Sequence, residues 1–432
     1  MSLTGSRRFV GIGFGPIQAG LFLYEASAAG TYAPPTIVDV RPDLVDDLRW
    51  NDGRFHLNIA GRLGIACVEI GPIRTENSAV PEDRDRIVAA LAQADEAATA
   101  LPSVETYRSA GPGSPHALFA EALRRRCRPA PLAVYCAENH RRAAAILEEA
   151  VLEAAEPRDR DAVRGRARFA DTVIGKMSGV VTEPSEIASL GLTPMTPRSS
   201  SAFLVEEFNH IQVSALWSDA GRASQLLPGI AALEPVEDLE PFAAAKLLGH
   251  NATHALAAYL ARLLGLRLIA DLGGVPGAIP FLRAAFIDES GAGLMRRHRG
   301  AGALFTPAGF TDFADDLLER MTNPLLADTV DRAARDPRRK AGWDDRLVGV
   351  LRLGLATGVP TPSYAMGTAA ALVDLDPSVM SVGRAEVRAL LRSIWPPSLE
   401  AAEADAVASL VVEGLDGLRR WRDSGFRFPA HR

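Results

Sequence analysis

The sequence predicts an N-terminal α/β domain with a doubly wound, Rossmann-type sheet, followed by a mostly α-helical C-terminal domain. Three observations support this fold class. A short apolar β run beginning at Arg8 leads into a glycine-rich turn. β-type and helical patterns then alternate up to about residue 185, which is typical of a parallel sheet covered by helices. From about residue 240, β-branched runs largely vanish and long amphipathic segments dominate.

The 432 residues are enough for two or three domains of roughly 150 residues each. We predict a dinucleotide-binding domain with a bridging segment over 1–235 and a helical substrate domain over 236–432. The bridge corresponds to residues 190–235, where Pro, Ser and Thr cluster. The helical domain is predicted from amphipathic segments at 242–265, 278–297, 311–321, 344–357, 384–394 and 401–421.

Within the first domain, β patterns predict strands and amphipathic patterns predict the helices between them. The strands are expected at 36–40, 103–107 and 132–137, and the helices at 115–126 and 142–155. The charged segment 76–100 is predicted to be a solvated helix with loops.

The glycine-rich turn is the first candidate binding element. Gly11, Gly13 and Gly15, with Phe14 between them, follow a β run and precede a helical pattern. Bare backbone N–H groups at such a helix start can hold a pyrophosphate. The spacing departs from G-x-G-x-x-G because Pro16 stands where the third glycine would fall. A purely structural turn is the alternative interpretation.

Asp39 ends the second β run, about 25 residues after the turn. A carboxylate at this place accepts hydrogen bonds from the ribose hydroxyls and repels a 2′-phosphate, which favours NAD over NADP. Arg41 is close by in the sequence and keeps NADP open as the less favoured cofactor. The alternative is a solvated residue at the end of a strand.

Composition excludes several functional classes. The net charge of -6 gives no electrostatic reason to expect nucleic acid or an anionic membrane surface as a partner. No apolar run approaches the ~18 residues of a membrane span. Three isolated cysteines indicate reduced thiols and a cytoplasmic protein. Because there is no CxxC or HExxH motif and the eight His are scattered, we expect no metal. A monomer or weak homo-oligomer is expected.

The strongest chemical signal is the block from Lys246 to His254. Lys246 can move a proton, Asn251 can hydrogen-bond a developing oxyanion, and His254 can orient a hydroxyl. On a regular helix, residues at i and i+5 point in different directions, so convergence requires an irregular turn, which Gly249 could supply. The alternative is a surface lysine, a capping asparagine and a core histidine on an ordinary helix.

Together with stretches elsewhere, this block resembles the signature of the polyol-specific long-chain dehydrogenases, the family of mannitol 2-dehydrogenase and mannitol-1-phosphate 5-dehydrogenase. The resemblance covers nearly the whole chain. Its most specific parts are the Lys-Asn-His block and the Arg-Asp-Pro-x-Arg-Lys block, Arg335–Lys340. The other matching stretches are 11–20, 38–40, 136–139, 169–177 and 344–349.

The resemblance implies roles for particular residues. Lys246 is the general acid/base, Asn251 polarises the carbonyl, and His254 is a donor that orients the substrate. Arg332 and Lys340 face the substrate. The match at 136–139 adds Asn139 to the cofactor-binding residues, and the match at 169–177 adds Asp171 to the substrate site. A carboxylate cannot donate to an oxyanion unless protonated, so Asp171 is assigned to orientation or to tuning of the lysine.

The chain also departs from the family pattern. The Val-Asp-Arg triplet of the family is replaced by residues 174–176, Ile-Gly-Lys, and 210–214 do not match its acidic substrate contact.

We predict a metal-independent oxidoreductase that transfers a hydride between NAD(H) and a polyol or sugar phosphate. The mannitol 1-phosphate/fructose 6-phosphate type is favoured because the basic cluster at 332–340 suits an anionic or phosphorylated small molecule. One alternative is the same chemistry on another hydroxylated anion, such as a uronate or a specialised-metabolism intermediate. Another is a non-catalytic NAD(H)-binding sensor, which would not need the Lys-Asn-His block.

Overall fold

The computed structural model describes residues 6–217 and 225–428. The chain forms two compact units, Met1–Leu239 and Glu240–Arg432. The first combines β-sheets with flanking helices, and the second is helical. This arrangement confirms the predicted fold class.

The strands of the first unit form three sheets. Their bounds are β1 Phe9–Ile12, β2 Thr36–Asp39, β3 Phe55–Ala60, β4 Ile65–Ile70, β5 Arg74–Asn77, β6 Glu96–Thr99, β7 Leu132–Cys136, β8 Ala167–Val173, β9 Ser178–Val181, β10 Ala202–Glu206, β11 Ile211–Ser214, β12 Leu216–Trp217, β13 Gln225–Leu226 and β14 Leu233–Val236. The helices are α1 Tyr24–Ala29, α2 Pro42–Trp50, α3 Pro81–Gln93, α4 Pro115–Arg125, α5 Ala143–Ala154, α6 Arg160–Gly165 and α7 Pro184–Ser189.

The main sheet has eight strands in the order β14-β11-β8-β7-β6-β1-β2-β5. All of its neighbouring pairs are parallel except β8 with β11. From β1 the chain adds β2 and β5 on one side and then returns to build β6, β7 and β8 on the other. The strand order therefore reverses between β1 and β6. In such sheets a ligand binds beyond the carboxyl ends of the strands at this reversal.

Three predictions for the first unit were wrong in detail. Residues 103–107 are not a strand, because Val104–Arg108 form a short 3₁₀ helix. The segment 76–100 is not merely a solvated helix, since β6 within it is fully buried beside β1. The predicted bridge over 190–235 is also not a separate connection. It contributes β11 and β14 to the main sheet and β10 to a second, four-stranded sheet.

Most helices of the second unit follow the predicted amphipathic segments, but the helices within 330–340 and 362–375 lie outside them. The helices of this unit are α8 Glu240–Ala244, α9 Asn251–Leu263, α10 Ala278–Ala284, α11 Ala292–Arg297, α12 Pro307–Met321, α13 Val330–Ala334, α14 Pro337–Lys340, α15 Arg346–Thr357, α16 Pro362–Leu375, α17 Arg384–Ile394 and α18 Ala401–Asp423. Two π-helical turns, Ala245–His250 and Ala285–Gly291, connect helices directly. Among residues 6–217 and 225–428, no helix is long and apolar enough to cross a membrane.

The central helix α16 was missing from the prediction. Ten consecutive residues of α16, from Tyr364 to Val373, are buried. A helix that is buried on every side has no polar face, so it lacks the amphipathic period on which the prediction depended.

Glycines let the neighbouring helices approach α16 closely. A methyl group at Gly414 of α18 would overlap with the backbone carbonyl of Ala365, and one at Gly367 would lie 2.7 Å from Leu256 Cδ1. The core of the second unit therefore depends on close contact between helix backbones at Gly414 and on the packing of the Leu256 side chain at Gly367.

Candidate active site

The glycine-rich turn lies at the carboxyl end of β1, where the strand order reverses. Gly13 has a φ of +88°, and a Cβ at this position would lie 2.6 Å from the carbonyl oxygen of Ala100. Gly15 is different, because a Cβ there would meet nothing within 4 Å. Gly11 lies against Gln18, whose amide would be 2.5 Å from an added Cβ. Only Gly13 requires glycine for its backbone conformation.

A cavity of about 670 Å³ opens beside this turn. Its walls include Gly13, Phe14, Gly15, Asp39 and Arg41. The structure thus brings the predicted turn residues and the predicted acidic residue together around one space within the first unit. Gly11 and Asn139 are not part of the lining.

The carboxylate of Asp39 is held by four protein donors. Its Oδ2 accepts from Phe14 N–H at 2.9 Å and from Arg41 Nη2 at 2.8 Å, while Oδ1 accepts from Arg41 N at 3.0 Å and from Arg41 Nε at 2.9 Å. Burial alone would raise the pKa of Asp39, but these bonds and the charge of Arg41 hold it below its usual value. Arg41 is 59% exposed, so solvent or a ligand can reach the guanidinium that covers the carboxylate.

Glu138 is a supporting residue of this cavity that the sequence analysis did not select. Its Oε1 accepts from the N–H of Leu101 at 2.9 Å and its Oε2 from Thr99 Oγ1 at 2.9 Å, and Tyr107 also donates to it. Burial raises its pKa. The network anchors the start of the loop that lines the cavity. The adjacent Asn139, predicted to bind cofactor, is exposed just beyond the end of β7.

Asp171, predicted to lie in the substrate site, belongs to β8 in the first unit. Its Oδ1 accepts a hydrogen bond from the N–H of Ala144 at 2.8 Å, which satisfies a free donor in the first turn of α5. Burial raises the pKa of this carboxyl. The structure therefore shows a helix-capping contact for Asp171, a role that the sequence analysis did not foresee.

In the second unit, the irregular turn expected after Lys246 is a π turn. The N–H of Asn251 donates to the carbonyl of Lys246, a bond across five residues in place of the usual four. The extra residue brings i and i+5 towards the same face of the helix. Gly249 is helical, and its small size matters for packing, since a Cβ would lie 2.9 Å from the ring of Phe286.

The lysine has the electrostatic setting that proton transfer requires. Burial, and then the positive charge of Arg346, lower the pKa of Lys246 to about 8. The neighbouring His250 lies within the same block, and the sequence analysis assigned it no role. Burial lowers its pKa well below the usual value, with smaller contributions from Arg320, His254, Lys246 and Arg346. These groups make the surroundings of Lys246 electropositive.

His254 is bonded to Asp328, an acidic residue that the sequence analysis missed. The distance from His254 Nε2 to Asp328 Oδ2 is 2.7 Å, and Asp328 Oδ1 accepts from Arg332 Nε at 3.0 Å and Nη2 at 2.7 Å. Asp328 lies four residues before Arg332 in the sequence, and this i, i+4 spacing was the signal that could have identified it as the partner of Arg332. The structure thus joins two predicted site residues, His254 and Arg332, through one carboxylate.

The rest of the predicted basic cluster is dispersed. Lys340 is buried, its ammonium donates to the carbonyl of Ala333, and it lies 5.7 Å from the ring centroid of Tyr259. A position facing the substrate was predicted, whereas this geometry packs the lysine inside the helical unit. Burial, with Arg346 and Arg339, lowers its pKa to about 8.

The exposed arginines of the cluster differ in their partners. Arg338 donates to the carbonyl of Ser393 at 2.6 Å, and Arg339 donates to Asp345 at 2.9 Å. Arg335 is exposed and forms no ion pair or hydrogen bond within the described ranges. Among the described residues, no group of three His, Cys, Asp or Glu side chains could hold a metal ion.

Comparison with known proteins agrees with this architecture. Residues 238–378 match the mannitol dehydrogenase C-terminal domain. The chain is similar to Pseudomonas fluorescens mannitol 2-dehydrogenase, solved as a ternary complex with NAD and D-mannitol, with 18% identity over 99% of this chain and 94% of that one and a TM-score of 0.68. A D-sorbitol dehydrogenase in substrate-free form gives 15% identity over 98% and 95% of the two chains and a TM-score of 0.74. Residues 238–378 therefore match the mannitol dehydrogenase C-terminal domain family, and the chain shares its fold with these two polyol dehydrogenases, in agreement with the predicted resemblance.

Proposed function

We propose that this protein is an NAD(H)-linked dehydrogenase that interconverts a secondary alcohol of a polyol and the corresponding ketone. The observation that carries the proposal is Lys246, whose pKa is lowered to about 8 and which is held by a π turn beside Asn251. A lysine with a pKa near the working pH can both accept and return a proton, so the proposed reaction needs no metal.

The first unit fits a nicotinamide dinucleotide. The cavity beyond β1 is lined by Gly13 and Gly15, and the open space at Gly15 leaves room for a ligand to approach the backbone. Asp39 and Arg41 stand at its wall, where a ribose would be recognised. Bound there, the dinucleotide would supply or accept the hydride. Mannitol 2-dehydrogenase, similar in fold, was solved with NAD and D-mannitol, which supports this cofactor and substrate class.

The proton moves at Lys246. In the oxidation, the neutral amine takes the hydroxyl proton of the substrate as the carbonyl forms. In the reduction, the ammonium returns a proton to the nascent alkoxide. Asn251 remains neutral throughout, and its amide can donate a hydrogen bond that stabilises negative charge on the substrate oxygen.

A second candidate function differs in the substrate, which would carry a phosphate at the end away from the reacting carbon. A phosphorylated polyol, as predicted from the basic cluster, is supported by Arg335, which is exposed, and by Arg332, which is 50% exposed. However, Arg332, Arg338 and Arg339 are already bonded to protein groups. We therefore rank an unphosphorylated polyol first and the sugar phosphate second.

The proposed function is tested by following NADH absorbance with free and phosphorylated substrates. The panel comprises mannitol, sorbitol and fructose, mannitol 1-phosphate and fructose 6-phosphate, and a uronate. Turnover of at least one polyol or ketose is expected. Tight NADH binding without turnover of any member would contradict the proposal and favour a nucleotide-binding sensor.

The Asp39–Arg41 pair leads to a prediction about cofactor preference. Asp39→Ala is expected to weaken NADH binding about tenfold, the effect of roughly one lost ribose hydrogen bond, and to improve NADPH binding because Arg41 is released. Arg41→Ala should weaken NADPH binding, since the carboxylate of Asp39 is then uncovered and repels a 2′-phosphate. Fluorescence titration measures both affinities. Asp43→Ala, at an exposed site in the same segment, is the control. An unchanged NADH/NADPH ratio in both variants would refute the assignment.

A further inference from the structure

The side chain of Asp328 is almost fully buried, and its carboxylate contacts two basic side chains. It is 4% exposed, and both of its oxygens are used, one by His254 and the other by Arg332. Burial by itself would raise the pKa of Asp328, yet the bond from His254 and the charge of Arg332 hold it below its usual value. The group is therefore a carboxylate at neutral pH, and a carboxylate only accepts hydrogen bonds.

The backbone holds Asp328 in a fixed place. Its carbonyl accepts from the N–H of Ile269 at 2.9 Å, and the N–H of Val330 donates to the carbonyl of Arg267 at 2.9 Å. The hydroxyl of Thr329 then caps α13 by accepting from the N–H of Arg332 at 3.2 Å. Hydrogen bonds therefore fix the backbone at Asp328 and at the two residues after it, so its carboxylate has little freedom to turn away from His254.

This arrangement determines which nitrogen of His254 carries the proton. Because the carboxylate cannot donate, Nε2 must be the protonated nitrogen of the neutral ring, and Nδ1 is left with a lone pair. No residue within 6–217 or 225–428 bonds to Nδ1. The side chain of His254 keeps 19% of its surface exposed, so a ligand can reach the ring.

We propose that Asp328 is a positioning residue that fixes His254 as a hydrogen-bond acceptor for a hydroxyl group of the substrate. The inference rests on the proposed function and deepens it, because it names the kind of group that His254 recognises. A substrate with a hydroxyl beside the reacting carbon donates to Nδ1. A simple ketone or alcohol without that neighbouring hydroxyl offers no such donor. The family resemblance implied a donor role for His254, and the tautomer imposed by Asp328 reverses it.

The tautomer is measured directly by ¹⁵N NMR of histidine-labelled protein, at a pH where the imidazoles are neutral. The shifts of protonated and bare ring nitrogens are well separated, and the His254→Gln variant assigns the signals. The wild-type protein should show a protonated Nε2 and a bare Nδ1 at this residue. A bare Nε2 would overturn the inference whether or not the protein turns over a polyol.

Asp328→Asn tests the consequence for substrate. An asparagine amide can donate to Nε2, which shifts the proton of the ring to Nδ1, while its oxygen still accepts from Arg332. KM for the best polyol should rise about tenfold, the effect of roughly one hydrogen bond, with a smaller change in kcat and unchanged NADH affinity. Asp331→Asn is the matched control, because the side chain of Asp331 is 96% exposed and lies only three residues after Asp328. KM should not change in this control.

The outcomes separate this inference from the proposed function. If wild-type protein turns over a polyol but Asp328→Asn leaves KM unchanged, the inference fails and the function stands. If no polyol is turned over, the function fails, and the substrate role of His254 fails with it. If Asp328→Asn does not fold, a substrate series in the wild type decides. Loss of the hydroxyl adjacent to the reacting carbon should raise KM about tenfold, and an unchanged KM would refute the role.

Discussion

Lys246→Ala is expected to lower turnover of the best polyol by about 10²–10⁴-fold, the usual contribution of general acid–base catalysis. The variant removes the amine that takes the hydroxyl proton and leaves the cavity of the first unit intact. NADH affinity should therefore be unchanged when it is measured by fluorescence. Turnover equal to that of the wild type would refute the assignment of Lys246.

Lys246→Arg separates proton transfer from charge. Arginine keeps a positive charge on a long side chain but does not lose its proton at accessible pH. We expect this variant to be nearly as inactive as Lys246→Ala in the oxidation. Recovery of most of the activity would mean that position 246 acts by charge alone.

The pH dependence follows from the lowered pKa of Lys246. Oxidation of the alcohol requires the neutral amine, so its kcat should rise with pH and level off above about 8. Reduction of the ketone requires the ammonium, so its kcat should fall as pH rises through the same value. Arg346→Met removes a positive charge that contributes to the lowering and should move both midpoints to higher pH. Midpoints that stay in place in this variant would exclude Arg346 as a cause.

The protonation of Lys246 can also be measured without turnover. The sequence contains three lysines, Lys176, Lys246 and Lys340, so selective ¹⁵N labelling gives a spectrum simple enough to titrate. Two of the three, Lys246 and Lys340, should titrate near 8. The Lys246→Ala variant identifies the catalytic signal.

The second large effect concerns the helical core. Gly414→Ala is expected to lower the free energy of unfolding by about 1–3 kcal/mol, because the added methyl overlaps with the carbonyl of Ala365 and forces α18 away from α16. In an open helix the same change normally stabilises by about 1 kcal/mol. The sign of the effect therefore reports the close approach of the two helix backbones.

Gly417→Ala is the matched control on the same helix. Its Cβ would meet nothing nearer than the Arg420 guanidinium at 3.7 Å, the end of a flexible side chain. This variant should be as stable as the wild type or slightly more stable. Urea unfolding followed by circular dichroism compares the two, and a Gly414→Ala midpoint at or above that of Gly417→Ala would contradict the packing described here.

The elements of the fold that follow a local pattern were predictable. The strand β1, the glycine turn and the strand ending at Asp39 were read from alternation and from glycine spacing. The amphipathic helices of the second unit were read from their 3.6-residue period. By contrast, β6 is buried along its whole length and α16 from Tyr364 to Val373, and neither shows the apolar/polar alternation or the 3.6-residue period of a half-exposed element, so local periodicity could not reveal either of them.

The candidate site was also predictable only in part. The sequence by itself determined the residue types and spacing of Lys246, Asn251 and His254, and it indicated that an irregular turn must lie between the first two. Tertiary structure decided that this turn is a π turn and that burial and Arg346 depress the lysine pKa. It also decided that Asp328 binds His254 across 74 residues. Burial and long-range partners depend on how distant segments pack, and no local pattern records that.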